Sequence, residues 1–162
     1  MGFRVNPGQY REERCFAGYH PFPPNTCIRR CLSSLVAEYN ERSSDPDTFD
    51  PFEGAAWLSY EFVSIHPFVD GNGRMCRMLL NVALLRSDVP FPVALGFSSS
   101  HKRAKAQYMQ CIKNARAREG LTTRLAFVVL CAFRDVAASF LENVRVAYPE
   151  EYKAMNDGSQ QG

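Results

Sequence analysis

Ile65-His66-Pro67-Phe68-Val69-Asp70-Gly71-Asn72-Gly73-Arg74-Met75-Cys76-Arg77 is the stretch on which the reading of the chain turns. Helical apolar spacing runs up to Ile65, Pro67 interrupts it, and Gly71-Asn72-Gly73 makes a tight turn. The helical pattern then resumes from Arg74 to about Arg86. The stretch therefore reads as helix, turn, helix. A helix N-terminus carries free backbone N–H groups and a partial positive charge, and so attracts anions. Glycines at 71 and 73 let the backbone approach a phosphate closely.

The side chains around this turn point the same way. Met75, Cys76, Met78, Leu79, Leu80, Val82, Ala83, Leu84 and Leu85 surround the second helix with apolar surface, which predicts a buried helix. Arg74 and Arg77 lie three residues apart on its first turns. Buried or half-buried guanidiniums need anionic partners, and their fork matches phosphate oxygens in pairs. Asp70 offers a hard oxygen ligand, suited to a Mg2+ held mainly by substrate phosphates. His66, with a near-neutral pKa, suits proton abstraction. Singly, each feature has a plain structural reading: a core histidine, a salt-bridged arginine, an ordinary turn. Together within thirteen residues they describe phosphoryl or nucleotidyl transfer.

Working outward, Asp50-Pro51-Phe52-Glu53 is a helix start, with Asp50 as N-cap, Pro51 in the first turn and Glu53 completing a capping box. Asn25 or Thr26 is expected to cap an earlier helix, whose stripe is Ile28, Cys31, Leu32, Leu35, Val36 and Tyr39. Residues 1–25 read as irregular, with a short hairpin near Cys15–Pro23. Downstream, Val89, Pro90 and Pro92 end the helix after the turn, and Ser98–Ser100 offers the next cap. A helix from about His101 to Arg118 stops at Gly120, and Thr122 or Thr123 opens a last one to about Ala147. Its centre, Phe127 to Phe133, is apolar on every side and reads as a buried central helix. The expected fold is an all-α bundle with at most a small β-hairpin. Residues 1–150 form one domain, and 151–162 are a flexible polar tail.

Composition bounds the partners. The chain has 162 residues, 46% hydrophobic and 22% charged, with a net charge of +2. Its basic residues form no stripe, which argues against nucleic acid. No apolar stretch approaches the ~18 residues of a membrane span. The first residues hold no signal-peptide core, and Asn6 breaks the myristoylation pattern. Six cysteines without a CxxC pair read as reduced and mostly buried, in a cytoplasmic setting.

From His66 to Arg77 the sequence HPFVDGNGRMCR matches throughout the Fic-family signature, commonly written HPFx(D/E)GN(G/K)RxxR. The resemblance extends further. Gly8-Gln9-Tyr10-Arg11 is similar to the family's upstream G-x-Y-R, and Phe22-Pro23-Pro24 to the proline pair after its substrate-holding flap. Ala55-Ala56 and Phe62-Val63-Ser64-Ile65 resemble the helix before the motif, and Tyr108 with its helix resembles the one after it. The likeness spans roughly residues 2 to 145 and is strongest to the Fic core of animal and bacterial protein adenylyltransferases.

The resemblance implies a Fic-type bundle that moves AMP from Mg-ATP to a Ser, Thr or Tyr hydroxyl of a target protein and releases pyrophosphate. In that scheme His66 is the base, Asp70 binds Mg2+, and Gly71, Asn72 and Gly73 form the anion hole. Arg74 and Arg77 clamp the phosphates, while Phe68 anchors the turn in the core. The flap Cys15–Pro23 presents a target segment as an added strand. Gly73 stands where the related Doc kinases carry Lys, which favours nucleotidyl over phosphoryl transfer.

Some positions depart from the family pattern. Ser59 stands where many members have His, and Tyr108-Met109 with Arg116 stand where many have paired aromatics and an Asn near adenine. Tyr108 is thus either an adenine contact or plain core. No complete inhibitory (S/T)xxxE(G/N) motif occurs. Ser34 to Glu38 is followed by Tyr39, and Ser139 to Glu142 is one residue short, leaving Glu142 as the candidate inhibitory residue. Without one in this chain, restraint falls to a separate inhibitory partner or is absent. Alternative readings are removal of AMP, transfer of UMP or another phosphate-linked group, and an inactive nucleotide-binding adaptor.

Overall fold

Asp50 fulfils its role as a helix start: one carboxylate oxygen accepts from the amides of Phe52 and Glu53, both at 2.8 Å, and Pro51 opens the first turn. The helix it begins, α2 (Pro51–Ile65), is the centre of the molecule. In the computed structural model, which describes residues 8–95, 102–118 and 120–158, α2 packs against α1 (Ile28–Arg42), α3 (Asn72–Arg86) and α5 (Thr123–Ala147). The remaining helices are α4 (Lys102–Ala117), which packs on α5, and α6 (Pro149–Gly158). Two-residue strands, β1 (Phe16–Ala17) and β2 (His20–Pro21), pair antiparallel with Phe16 opposite Pro21. The all-α bundle with its small N-terminal hairpin is therefore the observed fold.

Small side chains let α2 occupy the centre. Gly54, Ala55 and Ala56 are buried on it, and a Cβ added at Gly54 would fall within the Phe49 ring. Ile28, Leu80, Leu84, Leu125 and Val129 close the core around it. Each removes a branched aliphatic side chain from water, which stabilises the fold by roughly 1.5–3 kcal/mol per residue.

Two expectations about burial are corrected. α5 is not a central helix: Leu125, Ala126 and Val129 are its buried residues, whereas Phe127 is 64% exposed and Leu130 43%. It lies along the outside of the bundle, meeting α2, α4 and α6 and the Phe91 ring while Phe127 and Leu130 stay open to water. α3 is likewise half covered. Cys76, Leu80, Ala83 and Leu84 face the core, while Met78, Val82 and Leu85 face outward. Arg74 is accordingly an exposed residue, and Arg77 is half-buried.

Smaller differences concern the ends. Asn25 and Thr26 lie inside a 3-10 turn (Asn25–Cys27) that leads into α1, and no side chain caps that helix. The segment expected as a polar tail is helical as far as Gly158, since Pro149 opens α6 and Glu150 and Glu151 sit in its first turn, where the dipole favours acids. The cap expected at Ser98–Ser100 lies outside the described residues. All six cysteines are free, with Cys76 and Cys111 buried and the other four partly exposed. Among the described residues, no helix is long and apolar enough to cross a membrane.

The Asp50 cap yields a stability prediction. Asp50→Ala should cost about 1 kcal/mol, which for a domain of this size lowers Tm by about 2–4 °C. A thermal melt followed by circular dichroism that shows no shift would mean that Pro51 alone sets the start of α2.

Candidate active site

α2 ends at Ile65, and the next residue, His66, adopts a left-handed backbone conformation (φ 51°, ψ 59°). Such a conformation costs a non-glycine residue of order 1–3 kcal/mol and persists only where its surroundings enforce it. Here they do. The amide of His66 donates to Phe62 O at 3.1 Å, and its carbonyl accepts from Arg11 Nε at 2.8 Å. The neighbouring Pro67 carbonyl accepts from the Arg11 amide at 2.8 Å. The bend swings the imidazole off the α2 axis, with Nδ1 3.4 Å from Val63 O. The Phe22 ring stacks on it at a centroid distance of 4.2 Å and an angle of 18°. On Phe22 in turn lies the Arg116 guanidinium, 5.4 Å from the ring centroid.

Burial under Phe22 lowers the His66 pKa below its ordinary 6.5, because water no longer solvates the charged form. The bond to Val63 O opposes this, and the positive charges of Arg11 and Arg116 add to the lowering. The imidazole is thus held neutral at physiological pH, the state a proton acceptor requires.

The turn after Phe68 is stapled by a side chain. Asn72 Oδ1 accepts from Phe68 N at 3.0 Å, and Nδ2 donates to Phe68 O at 2.7 Å. This amide pair copies two rungs of a β ladder and fixes where α3 begins. Gly71 precedes it at φ 87°, a conformation that disfavours any side chain. The Asn72 side chain therefore shapes the turn, leaving contact with a ligand to the backbone N–H groups of the first α3 turn. Both arginines fold back over the glycines: Arg74 Nη2 stands 3.6 Å from the place of a Cβ on Gly71, and Arg77 Nη1 3.6 Å from that on Gly73. Asp70 Oδ1 accepts from Gly71 N at 2.6 Å, and Oδ2 pairs with Arg74 at 3.1 Å. That ion pair is open to water and holds its partners only weakly, by about 0–1 kcal/mol.

The structure thus brings His66, Asp70, Gly71, Asn72, Gly73, Arg74 and Arg77 to one end of α2 and α3. The other two candidates lie elsewhere. Tyr108 is 5% exposed, and its hydroxyl is 3.1 Å from Cys76 Sγ and 3.5 Å from Ser59 Oγ. This burial accords with its reading as core. Ser59 itself is buried, 2.9 Å from Cys76 Sγ, so it joins α2 to α3 beneath the turn. Glu142 is exposed on α5 and bonded to Arg145 at 2.6 Å. Sequence reasoning noted Arg11 and Phe22 only as parts of a likeness and Arg116 only as a departure from the family pattern, and gave none of the three an individual role beside His66.

An all-helical frame that gathers an imidazole, a carboxylate and two guanidiniums at one helix N-terminus defines a recognisable class of domain. The chain belongs to the Fic/DOC family, whose profile matches residues 2–84. It is 34% identical to a Fido domain-containing protein of Dictyostelium discoideum over 150 residues, covering 90% of this chain and 99% of that protein. It is 32% identical to the protein adenylyltransferase Fic of Nematostella vectensis over 136 residues, covering 83% of this chain but 29% of the relative. Among solved structures it resembles Fic-1 from C. elegans, with a TM-score of 0.70 and 28% identity over 86% of this chain and 38% of that one. The chain thus spans less than a third of the adenylyltransferase from Nematostella and nearly all of the Dictyostelium protein.

Two measurements test this geometry. An NMR titration should place the His66 midpoint below 6.5. Because the folded pKa is the lower one, the linked stability is present above 6.5 and is lost as pH falls below it, a slope that His66→Ala should remove. A midpoint at or above 6.5 would contradict burial under Phe22. Tyr108→Phe should lower stability by about 1 kcal/mol and leave ATP affinity unchanged by calorimetry. A loss of affinity without a loss of stability would return Tyr108 to the ligand site.

Proposed function

We propose that the chain transfers AMP from Mg-ATP to a hydroxyl of a Ser, Thr or Tyr in another protein, releasing pyrophosphate. The observation that carries this reading is one juxtaposition. An imidazole kept neutral stands at the end of α2, beside the first turn of α3 over which both arginines are folded. Adenylyltransferase is the name given to several relatives, among them those of Nematostella vectensis and Caenorhabditis elegans.

Each residue then has a physical task. Amide N–H groups at the start of α3 donate to the triphosphate oxygens, aided by the positive end of the helix dipole. Arg74 and Arg77 add paired N–H donors and neutralise charge as it builds on the leaving pyrophosphate. His66 takes the proton of the target hydroxyl as its oxygen attacks the α-phosphorus and the bond between α-phosphorus and bridging oxygen breaks. Asp70 is a single exposed carboxylate, a donor set that fits a Mg2+ held chiefly by phosphate oxygens rather than by a protein cage. Mg2+ bound there would screen phosphate charge. The Arg74 guanidinium, held to Asp70 only by a weak exposed pair, is free to turn toward the phosphates. The hairpin from Cys15 to Pro23 borders the imidazole through Phe22 and offers short strand edges to a target segment.

The test uses ATP labelled at the α or the γ phosphate, with Mg2+ and a cell lysate, beside a His66→Ala control. Label from the α position alone should appear on protein, and the control should lose it by about a hundredfold or more. Label from the γ position would make the chain a kinase. No protein label from wild type, with ATP still bound in calorimetry, would favour the inactive adaptor.

A further inference from the structure

We propose that Arg11 is a positioning residue for His66: its guanidinium ties the neck of the hairpin to the end of α2, so that Phe22 and the imidazole keep one mutual geometry. The inference rests on His66 being the base. It goes beyond the proposed mechanism, in which Arg11 touches neither nucleotide nor target.

Arg11 is 4% exposed, yet its guanidinium bonds are to main-chain carbonyls rather than carboxylates. Nε donates to His66 O at 2.8 Å and Nη1 to Glu13 O at 2.9 Å. Nη2 reaches Pro23 O and, at 3.4 Å, Ile65 O. Glu13 and Pro23 bracket β1 and β2, so one planar group closes the loop that carries the hairpin. Ile65 and His66 supply the last carbonyls of α2, where the helix dipole is negative and cations are favoured. The fork geometry is needed for this. Lys carries its three donors on one point at the end of a flexible stem and cannot span the neck and the helix end together.

The same bonds set the stack above the base. Phe22 lies one residue before Pro23, and its amide donates to Cys15 O at 3.0 Å across the neck. Holding the Pro23 carbonyl against the His66 carbonyl therefore holds the Phe22 ring against the imidazole. The groups facing that imidazole are Phe22 from the hairpin, the Val63 carbonyl from α2, and the two cations Arg11 and Arg116 from the N-terminal segment and α4. A purely structural arginine would affect Tm alone. A positioning arginine also governs how wet the imidazole is and how fast the folded enzyme turns over.

The experiment compares wild type, Arg11→Lys and Phe22→Leu, with the His66 titration followed by NMR and assigned by His66→Ala. Lys keeps the positive charge, so a change in Arg11→Lys reports solvation of the imidazole and not loss of a neighbouring cation. In both variants the midpoint should rise toward 6.5. The kcat for AMP transfer should fall about tenfold or more, while the Kd for ATP stays within about twofold of wild type. A folded Arg11→Lys protein with wild-type midpoint and kcat would overturn the proposal. Should Arg11→Lys lose its helical circular dichroism, Phe22→Leu decides, since it leaves the Arg11 bonds in place and strips the stack they are said to hold. An unchanged midpoint there overturns the proposal as well. If wild type transfers no AMP, the functional reading falls while the titration still decides whether Arg11 sets the environment of His66.

Discussion

A helix that ends inside a protein must give its last carbonyls to donors, because water cannot reach them. α2 is the central helix of this molecule, and its end meets that constraint with one buried guanidinium in place of the usual glycine and its turn. Much follows from this choice. With the carbonyls of Ile65 and His66 taken by Arg11, and that of Pro67 by the Arg11 amide, the chain can leave α2 through a left-handed histidine. The N-terminal segment is drawn across the helix end, and the hairpin it carries lands over the imidazole.

The other half of the site is built by a different economy of bonds. Asn72 spends its whole amide on the Phe68 backbone, so the loop between His66 and α3 is closed by a side chain that mimics backbone. This leaves the first α3 turn pointing outward and sets the distance between the end of one helix and the start of the next. The ends of two antiparallel dipoles then meet in opposite sense. The negative end of α2 is neutralised internally by Arg11, while the positive end of α3 stays open to an anion. Cys76, Ser59 and Tyr108 brace the layer beneath, joining α2, α3 and α4 through a buried polar cluster.

How much of this was legible in sequence depends on the reach of each bond. The turn was legible, since Gly71, Asn72 and Gly73 act within a few residues of their partners and leave a local mark. So was the start of α2, where Asp50 bonds amides two and three residues on. Arg11 was not, because its partners are carbonyls up to 55 residues away and any residue supplies a carbonyl. Phe22 and Arg116 are named by the family likeness, but their stacking over His66 is not legible, as ring contacts over long separations have no period. Hydrophobicity alone misplaces α5 at the centre. Phe127 and Leu130 are apolar but lie on the outer side of α5, whereas Gly54, Ala55 and Ala56 are small and define the centre. Small residues admit neighbours on all sides, and that close approach decides which helix is central.

The environment of His66 also separates this site from the familiar arrangement in which a carboxylate orients a catalytic imidazole and stabilises its protonated form. Here the ring is oriented by a main-chain carbonyl and an aromatic face, and the two charges that reach it are both positive. Such surroundings disfavour imidazolium, so His66 is a weaker base than an exposed histidine and is available in neutral form over a wider pH range. That trade suits an acceptor whose proton comes from a hydroxyl only while the oxygen is bonding to phosphorus. In the proposed transfer the driving force would come from the bond being formed and from the charge gathered by α3 and its arginines, and the imidazole would have only to be dry, neutral and in place.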